Sequence, residues 1–347
     1  MRRRPIGYYV HHHGAGHRAR ADAIARACEW PVVMLGTNLG EAGIDLPDDR
    51  PLSGGFDGVD AACFRPDALH YAPLDHDGVR ERVARIGGWI AVARPALMVV
   101  DVSVEVAMLA RLASVPTICV RLNGKRDDPA HLDAWRGASA LFAPFHCRLE
   151  APSTLAWVRG KTTYLPGITA DTVTAIPVAR RILVVFGRGG QPGDGTLLAS
   201  AARACPQWQW RVIGPAIAPA DIPPNLVFAG WVDAPEREIA QAALVVGAAG
   251  DGLVGAVMAA DRPFVCIPEE RPFDEQQTTA RSLQALDAAI VLPAWPNGEA
   301  WPAVIAAALS LRSAPRRELH DAQGARKAAA WLSAHAEAAT SRKEQAA

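Results

Sequence analysis

The chain has 347 residues, and at roughly 150 residues per domain this length predicts two domains. Half of the residues are hydrophobic and 21% are charged, which excludes a globally disordered protein. The 36 basic and 36 acidic residues cancel, so the composition argues against a protein that binds nucleic acid over its whole surface. The sequence has no apolar run of transmembrane length, no signal-peptide core and no paired cysteine motif, so we expect a protein of the reducing cytoplasm.

The first half alternates between apolar segments and segments with helical periodicity. In chain order, the pattern predicts a strand over 6–10, a loop over 11–16, a helix over 18–28, a strand over 31–35, a loop-rich stretch over 36–73, a helix over 77–93, a strand over 96–100, a helix over 104–113 and a strand over 116–120. This alternation is typical of a parallel sheet covered by helices.

The same alternation restarts after residues 169–177. It predicts strands over 181–186, 210–213, 226–229, 244–247 and 264–267, and helices over 196–205, 254–260, 275–286 and 325–336. We therefore predict an α/β protein with two doubly wound, Rossmann-like domains, 1–168 and 178–336, followed by a frayed tail over 337–347. Because ligands bind beyond the carboxyl ends of parallel strands, the site is expected in the cleft between the domains.

A histidine- and glycine-rich loop follows the first strand. Gly14 and Gly16 permit a tight turn, and His17 stands near the start of the next helix, where it can act as a general base. The alternative is a polar loop whose histidines hydrogen-bond locally. The loop does not fit the dinucleotide fingerprint, and the consecutive histidines 11–13 point in alternating directions, so neither NAD nor a metal ion is expected there.

Asp101 follows a buried strand, at the carboxyl end where site residues collect. A carboxylate that orients a histidine is a common way to build a base, so Asp101 is the first candidate partner for His17 and Glu105 is the second. The alternative is that Asp101 caps the helix predicted over 104–113.

Two glycine-rich stretches in the second half are candidates for binding an anion. The first comprises Gly187, Arg188, Gly189 and Gly190, and the second comprises Gly250, Asp251 and Gly252 at the start of a helix. The polar loop that follows the strand at 264–267 carries candidate hydroxyl-binding groups, namely Glu269, Glu270, Asp274, Gln276 and Gln277. The alternatives are a mobile turn at 187–190 and a solvated loop capped by Asp274.

The second half resembles the carboxyl domain of family 28 glycosyltransferases, the family of the lipid II-forming N-acetylglucosaminyltransferase. The resemblance depends on the glycines at 187–190, the Gly250-Asp-Gly252 stretch and the Asp-Glu-Gln-Gln run at 274–277, and the first half adds the loop that ends in His17. The resemblance implies a GT-B fold, with a nucleotide-sugar held by the second domain and an acceptor by the first.

The resemblance also implies roles for single residues. Gly189, Gly190, Gly250 and Gly252 would approach the nucleotide diphosphate, Gln276 and Gln277 would hold the sugar, and Asp274 would brace their loop. The family's ribose-binding glutamate falls on Ala256 here, so Glu269 or Glu270 is the candidate replacement.

The sequence thus favours an inverting, metal-independent transfer of a sugar from a nucleotide-sugar, expected to be a UDP-sugar, to an acceptor hydroxyl. No cofactor is expected, and Arg188 with the glycine loops would neutralise the leaving group. Three alternatives stay open: a nucleotide-sugar hydrolase, a 2-epimerase and a non-catalytic binding protein of the same fold. The arginines at 2–4 and the stretch at 86–92 leave a peripheral contact with the inner membrane face open, and the acceptor is undetermined.

Overall fold

A computed structural model describes residues 3–11, 15–49, 57–168, 173, 175–187 and 189–345 of the chain. Among the described residues, no helix is both long enough and apolar enough to cross a bilayer. All six cysteines are free thiols, and three of them (Cys119, Cys205 and Cys266) are buried.

The first unit is a seven-stranded parallel sheet with helices on both faces. Its elements are β1 (Ile6–Val10), α1 (Ala15–Ala27), β2 (Val32–Gly36), β3 (Ile44–Asp45), α2 (Asp77–Ala93), β4 (Leu97–Asp101), α3 (Val104–Leu112), β5 (Thr117–Val120), α4 (Pro129–Gly137), β6 (Ala140–Ala143), α5 (Ala156–Lys161) and β7 (Thr162–Tyr164). The strand order is β3-β2-β1-β4-β5-β6-β7, so the winding reverses between β1 and β4. Such a switch point is where open α/β sheets bind their ligands.

The second unit repeats this plan with a six-stranded parallel sheet and a two-stranded ribbon. Its elements are β8 (Arg181–Val185), β9 (Gly193–Asp194), α6 (Gly195–Ala204), β10 (Gln209–Ile213), β11 (Ala216–Ile217), β12 (Leu226–Gly230), α7 (Pro235–Gln241), β13 (Leu244–Gly247), α8 (Asp251–Ala260), β14 (Phe264–Cys266), α9 (Glu275–Ala285), β15 (Ile290–Val291), α10 (Trp301–Ser310) and α11 (Ala314–Glu318). The order β12-β10-β8-β13-β14-β15 places its switch point between β8 and β13. Both glycine-rich stretches of the second half follow these two strands.

The last helix, α12 (Gly324–Gln345), returns to the first unit. Ala328, Leu332 and Ala336 lie in the same buried cluster as Tyr8 and Ile24. The assignment of 324–336 to the second domain is therefore wrong, and residues 337–345, expected as a frayed tail, continue this helix. The helix buries one apolar face against α1 and the first sheet, and this burial explains why it packs on the first unit.

A short loop of the first unit makes direct contact with the second unit. The amide of Lys125 donates to the carbonyl of Phe273 at 2.6 Å, and Arg126 pairs with Glu275 at 2.7 Å. Gly124 has a φ of +110°, and any side chain there would collide with the backbone of Phe273. Glycine is required at this position because the two backbones approach so closely.

Candidate active site

His17 and Asp101 meet at the switch point of the first sheet. α1 starts at Ala15 and brings His17 to the cleft, while Asp101 is the last residue of β4. The Nδ1 atom of His17 lies 2.8 Å from Oδ1 of Asp101. The aspartate side chain is fully buried, whereas 14% of the histidine side chain is exposed. The structure therefore brings together the pair of residues that the sequence favoured first.

Arg20 completes this centre, although it is not among the candidates predicted from the sequence. Its Nε donates to Oδ2 of Asp101 at 3.1 Å and its Nη2 donates to Oδ1 at 2.9 Å. The hydroxyl of Tyr8 also donates to Oδ2, at 3.4 Å. Arg20 stands three residues after His17, a spacing that places two side chains on one helix face, and this was the available signal.

The hydrogen-bond network fixes the charge of Asp101. Burial alone would raise the pKa of Asp101, but the charges and hydrogen bonds of Arg20 and His17 hold it well below its ordinary value. The carboxylate is therefore ionised at neutral pH. Burial and the neighbouring charge of Asp101 raise the pKa of Tyr8, so the phenol keeps its proton and acts only as a donor toward the carboxylate.

The ionised carboxylate determines which nitrogen of His17 carries the hydrogen. An unprotonated Nδ1 would hold its lone pair against Asp101 Oδ1 at 2.8 Å, so Nδ1 carries the hydrogen and donates it. The Nη2 atom of Arg20 also lies 3.0 Å from Nδ1, but that group donates to Oδ1 instead. The Nε2 atom of neutral His17 is then an acceptor, and none of the described residues hydrogen-bonds to it. This is the arrangement that a general base requires.

The backbone directly after Asp101 is strained. Val102 has a φ of +80°, in the left-handed region that a β-branched residue rarely adopts, and its amide donates to the carbonyl of Val100 at 3.2 Å. Such strain persists only where the surrounding structure enforces it, often at functional sites. The turn lets Ser103, whose hydroxyl accepts from the amide of Val106, cap α3. The alternative role of Asp101 as the cap of this helix is therefore wrong.

Glu105 does not contact His17. Its Oε1 accepts from the backbone amides of His70 and Tyr71 at 2.7 and 2.9 Å, and its Oε2 accepts from the hydroxyl of Ser103. The side chain anchors the loop before α2 to the start of α3. The prediction of Glu105 as the second candidate partner of His17 is therefore wrong, because both of its carboxylate oxygens bond to other groups.

Across the cleft, the start of α8 faces the start of α1. A Cβ atom placed on Gly252 would lie 3.9 Å from the Cα atom of Gly16, so the two helix N-termini are in contact range. Gly250 immediately precedes α8 as its cap residue. Helix N-termini present free amides and the positive end of the helix dipole, which favours an anion. Gly14 lies outside the described residues.

Gln276 supports the second unit's side of the cleft from within. It is 5% exposed, and its Oε1 accepts from the amides of Ala249 and Glu269 at 3.2 and 2.9 Å. The side-chain oxygen thus ties the loop after β13 to the loop after β14 and is not available to a sugar. Asp274 is exposed and has a φ of +51°, and its side chain makes no capping hydrogen bond to α9. The loop that Asp274 was expected to brace is instead held by Gln276. Gln277 is half-buried.

An ion pair covers the glycine stretch that follows β8. Arg271 donates to Oε2 of Glu269 at 2.7 Å and to the carbonyl of Gly189, and a side chain on Gly190 would collide with the Glu269 carboxylate. Both Gly189 and Gly190 therefore lie against this pair, whereas a side chain on Gly187 would meet open space. Glu269, a candidate ribose ligand, is thus already paired with Arg271 beside this stretch.

The sequence singled out three further positions on this side, Glu270, Ala256 and Arg188. Glu270 is exposed, and Ala256 packs at the edge of the core of the second unit. Arg188 lies outside the described residues.

A second cluster, of His70, Asp128 and His131, has the donor types of a metal site within 4.8 Å of one another. However, Nη1 of Arg126 lies 3.1 Å from Nε2 of His131, and a guanidinium can only donate. Nε2 must therefore accept, which leaves the hydrogen on Nδ1, where it bonds Oδ2 of Asp128 at 2.6 Å. A metal ion at Nδ1 would need the opposite tautomer, so the residues present do not fit a metal ion.

Comparison with known proteins gives matches among solved structures only. No protein-family model matches the chain, and no curated protein sequence matches it. The spinosyn forosaminyltransferase SpnP superposes with a TM-score of 0.69 at 12% identity, covering 96% of this chain and all of that one. The glycotransferase of kitacinnamycin gives 0.64 at 16% identity over 96% of this chain and all of its own.

The MurG of Acinetobacter baumannii is similar as well. Its TM-score is 0.63 at 14% identity, over 95% of this chain and 99% of its own. At such identities the likeness establishes the fold, and the fold is GT-B, with two doubly wound sheets. The fold class predicted from the sequence is confirmed.

Proposed function

We propose that this chain is an inverting glycosyltransferase that moves a sugar from a nucleotide-sugar donor to an acceptor hydroxyl, with His17 as the general base. The observation that carries the proposal is the hydrogen bond from His17 Nδ1 to the ionised, buried Asp101, which leaves Nε2 without a partner among the described residues. The GT-B fold shared with three glycosyltransferases supports it.

In this proposal the first unit holds the acceptor. Its hydroxyl proton moves to Nε2 of His17 as the oxygen attacks the anomeric carbon, and the bond between that carbon and the diphosphate oxygen breaks on the opposite face. Asp101 keeps the ring oriented and stays ionised, as a carboxylate does in a catalytic triad. Base catalysis of this kind contributes about 10²–10⁴-fold to the rate.

The second unit holds the donor. The backbone amides at Gly250 and Gly252 would receive the diphosphate at the start of α8, since a helix N-terminus stabilises an anion without needing a metal ion. The rhamnosyltransferase SpnG, whose structure is similar with a TM-score of 0.58 at 16% identity over 99% of this chain and all of its own, was solved with thymidine diphosphate. A thymidine or uridine nucleotide is therefore the first donor class to test.

A thermal-shift panel of UDP, GDP and dTDP, each with and without a sugar, tests the donor half of this proposal on wild type and His17→Ala. A ligand that binds the folded state at 100 times its Kd stabilises it by about 2.7 kcal/mol, which raises the melting temperature. We expect a shift with one nucleotide family that persists in His17→Ala. No shift with any of them would overturn the nucleotide-sugar proposal.

The catalytic half is tested with the donor so identified. We expect release of nucleoside diphosphate that requires an acceptor and that falls at least about 100-fold in His17→Ala. NMR of the product would show the anomeric configuration inverted. Release of free sugar without an acceptor would instead identify a hydrolase, and nucleotide binding with no turnover would identify a binding protein.

A further inference from the structure

One carboxylate oxygen of Asp251, in the cleft, has no hydrogen-bond partner among the described residues. Asp251 is the first residue of α8, the helix whose start meets the start of α1 at Gly16 and Gly252. Its Oδ2 atom is buried and accepts no hydrogen bond from the described residues. A buried, unsatisfied carboxylate oxygen costs free energy, and a helix N-terminus offsets that cost only in part.

The other two carboxylates that face this part of the cleft are already neutralised. Arg20 binds both oxygens of Asp101, and Arg126 pairs with Glu275 at 2.7 Å. No ion pair of Asp251 is present within the described ranges. It therefore carries the charge that is left over once the two arginines are paired.

That leftover charge matters when His17 gains a proton. The imidazolium forms beside Asp101, but the guanidinium of Arg20 cancels most of the attraction, because it grips the same carboxylate and lies 3.0 Å from Nδ1. A further negative charge is then needed to stabilise the protonated ring. Among the described carboxylates around the histidine, Asp251 is the one not paired with an arginine.

We propose that Asp251 is a positioning residue for the base: supplied by the second unit, it stabilises the imidazolium that His17 becomes when it takes the acceptor's proton. The inference rests on the proposed function. Asp251 exchanges no proton in this step. The acceptor O–H bond breaks, the N–H bond at Nε2 forms, the acceptor oxygen bonds the anomeric carbon, and the electron pair of the broken sugar–phosphate bond leaves with the diphosphate.

The same charge has an opposite effect on the donor. A carboxylate at the start of α8 repels the diphosphate that the amides of Gly250 and Gly252 would bind, since both compete for one helix N-terminus. Asp251 therefore increases turnover at the cost of donor affinity. A residue that merely supported the fold would not change these two quantities in opposite directions.

The kinetic test is Asp251→Asn. We expect kcat to fall about 3- to 30-fold, because the base loses its stabilising charge, while the donor KM falls rather than rises. Asp251→Glu should restore part of kcat. Asp233→Asn, which removes an exposed carboxylate from the second unit, serves as the matched control and should change neither quantity. An increased donor KM in Asp251→Asn would overturn the proposal and make the carboxylate a donor ligand.

A second measurement needs no substrate, so it separates this inference from the proposed function. The ring signals of His17, identified by their loss in His17→Gln, are followed by NMR against pH. The charged and titratable groups around the ring are Asp101 and Arg20 at Nδ1, Tyr8 behind Asp101, His11 with its ring centroid 5.6 Å from that of His17, and Asp251, Glu275 and Arg126 at the contact between the units.

Removal of Asp251 should move the midpoint of the His17 signals to lower pH, because the imidazolium loses a nearby negative charge. Titration identical to wild type would overturn the inference even if the chain transfers sugar. A lowered midpoint in a chain that turns over no donor would support the electrostatic role and refute the transferase.

Discussion

Two histidine–aspartate pairs, His17–Asp101 and His131–Asp128, each have an arginine beside them, and the two arginines are placed differently. In the first, Arg20 binds the aspartate and leaves Nε2 of His17 open. In the second, Arg126 donates to Nε2 of His131, so the outward nitrogen is already used. The position of the arginine, more than the histidine–aspartate contact, decides which pair can accept a proton from a substrate.

Burial reinforces the difference between the two pairs. His131 is 4% exposed, and burial together with the charge of Arg126 lowers its pKa to about 3. It therefore stays neutral and packs edge-on against Phe273, at the contact between the two units. Asp128 keeps a lowered pKa because His131 and His70 bond to it against the opposing effect of its burial. The second pair therefore has a structural role at the contact between the two units.

The distinction between the two pairs predicts that removing the charge of Asp101 lowers turnover far more than removing the charge of Asp128. Asp101→Asn cannot hold the Nδ1 hydrogen and both Arg20 bonds at once, so we expect kcat to fall by about 10²–10⁴-fold. It also leaves Arg20 buried without its counter-charge, which lowers the free energy of unfolding by about 3 kcal/mol. Asp128→Asn should keep kcat within about threefold. Steady-state kinetics of both variants measure kcat, and urea unfolding measures their stability. Equal losses of kcat in the two variants would contradict the distinction.

Paired and unpaired carboxylates should respond to pH in opposite ways. Burial raises the pKa of Asp251 more than Arg20, His17 and Arg126 lower it, so the folded state binds this proton more tightly than the unfolded state does. Ionised Asp251 then subtracts stability as the pH rises through its folded pKa. The pKa of Asp101 is lowered, so its contribution is present above the ordinary value and is lost as the pH falls through the folded value.

Asp251→Asn should therefore raise the melting temperature by about 2 °C at pH 7.5. The gain should shrink as the pH falls through the folded pKa of Asp251 and vanish well below the ordinary aspartate pKa of about 3.9, where the wild-type side chain is neutral in both states. Melting curves across this pH range, with Asp233→Asn as control, measure it. A lower melting temperature at pH 7.5 would show that the ionised carboxylate has a stabilising partner.

The smallest effect is expected from Arg126→Met. Without the guanidinium, His131 loses the second-largest influence that lowers its pKa, so its ring should titrate about one pH unit higher. NMR titration of His131 in wild type and Arg126→Met measures this change. An unchanged midpoint would mean that burial alone lowers the pKa of His131.

Much of the fold could be predicted because strands and helices alternate with clear hydrophobic periods. The helix predicted over 77–93 and the strands over 6–10 and 244–247 have the observed bounds. The strand at Ala140–Ala143 and the helix at Trp301–Ser310 were missed. The return of α12 to the first unit was not predictable, because the pattern shows an apolar face but not which sheet covers it.

For the site, the sequence placed His17 and Asp101 correctly at two neighbouring strand ends. It could not show that Gln276 is turned inward. A glutamine that bonds two backbone amides and a glutamine that binds a sugar look the same in the sequence. It also could not show that Arg20 grips Asp101, which depends on a contact between residues 81 positions apart. Charges that meet across the cleft are set by tertiary structure alone.

The most direct test of the central claim compares His17→Ala with His131→Gln in turnover of the donor that the wild type binds. Nucleoside diphosphate release is measured in a mixture of sugar, lipid-linked and small-molecule acceptors. We predict that release falls at least about 100-fold in His17→Ala, with donor binding retained, and stays within about threefold of wild type in His131→Gln. Equal rates in His17→Ala and wild type, or an equal loss in His131→Gln, would contradict it.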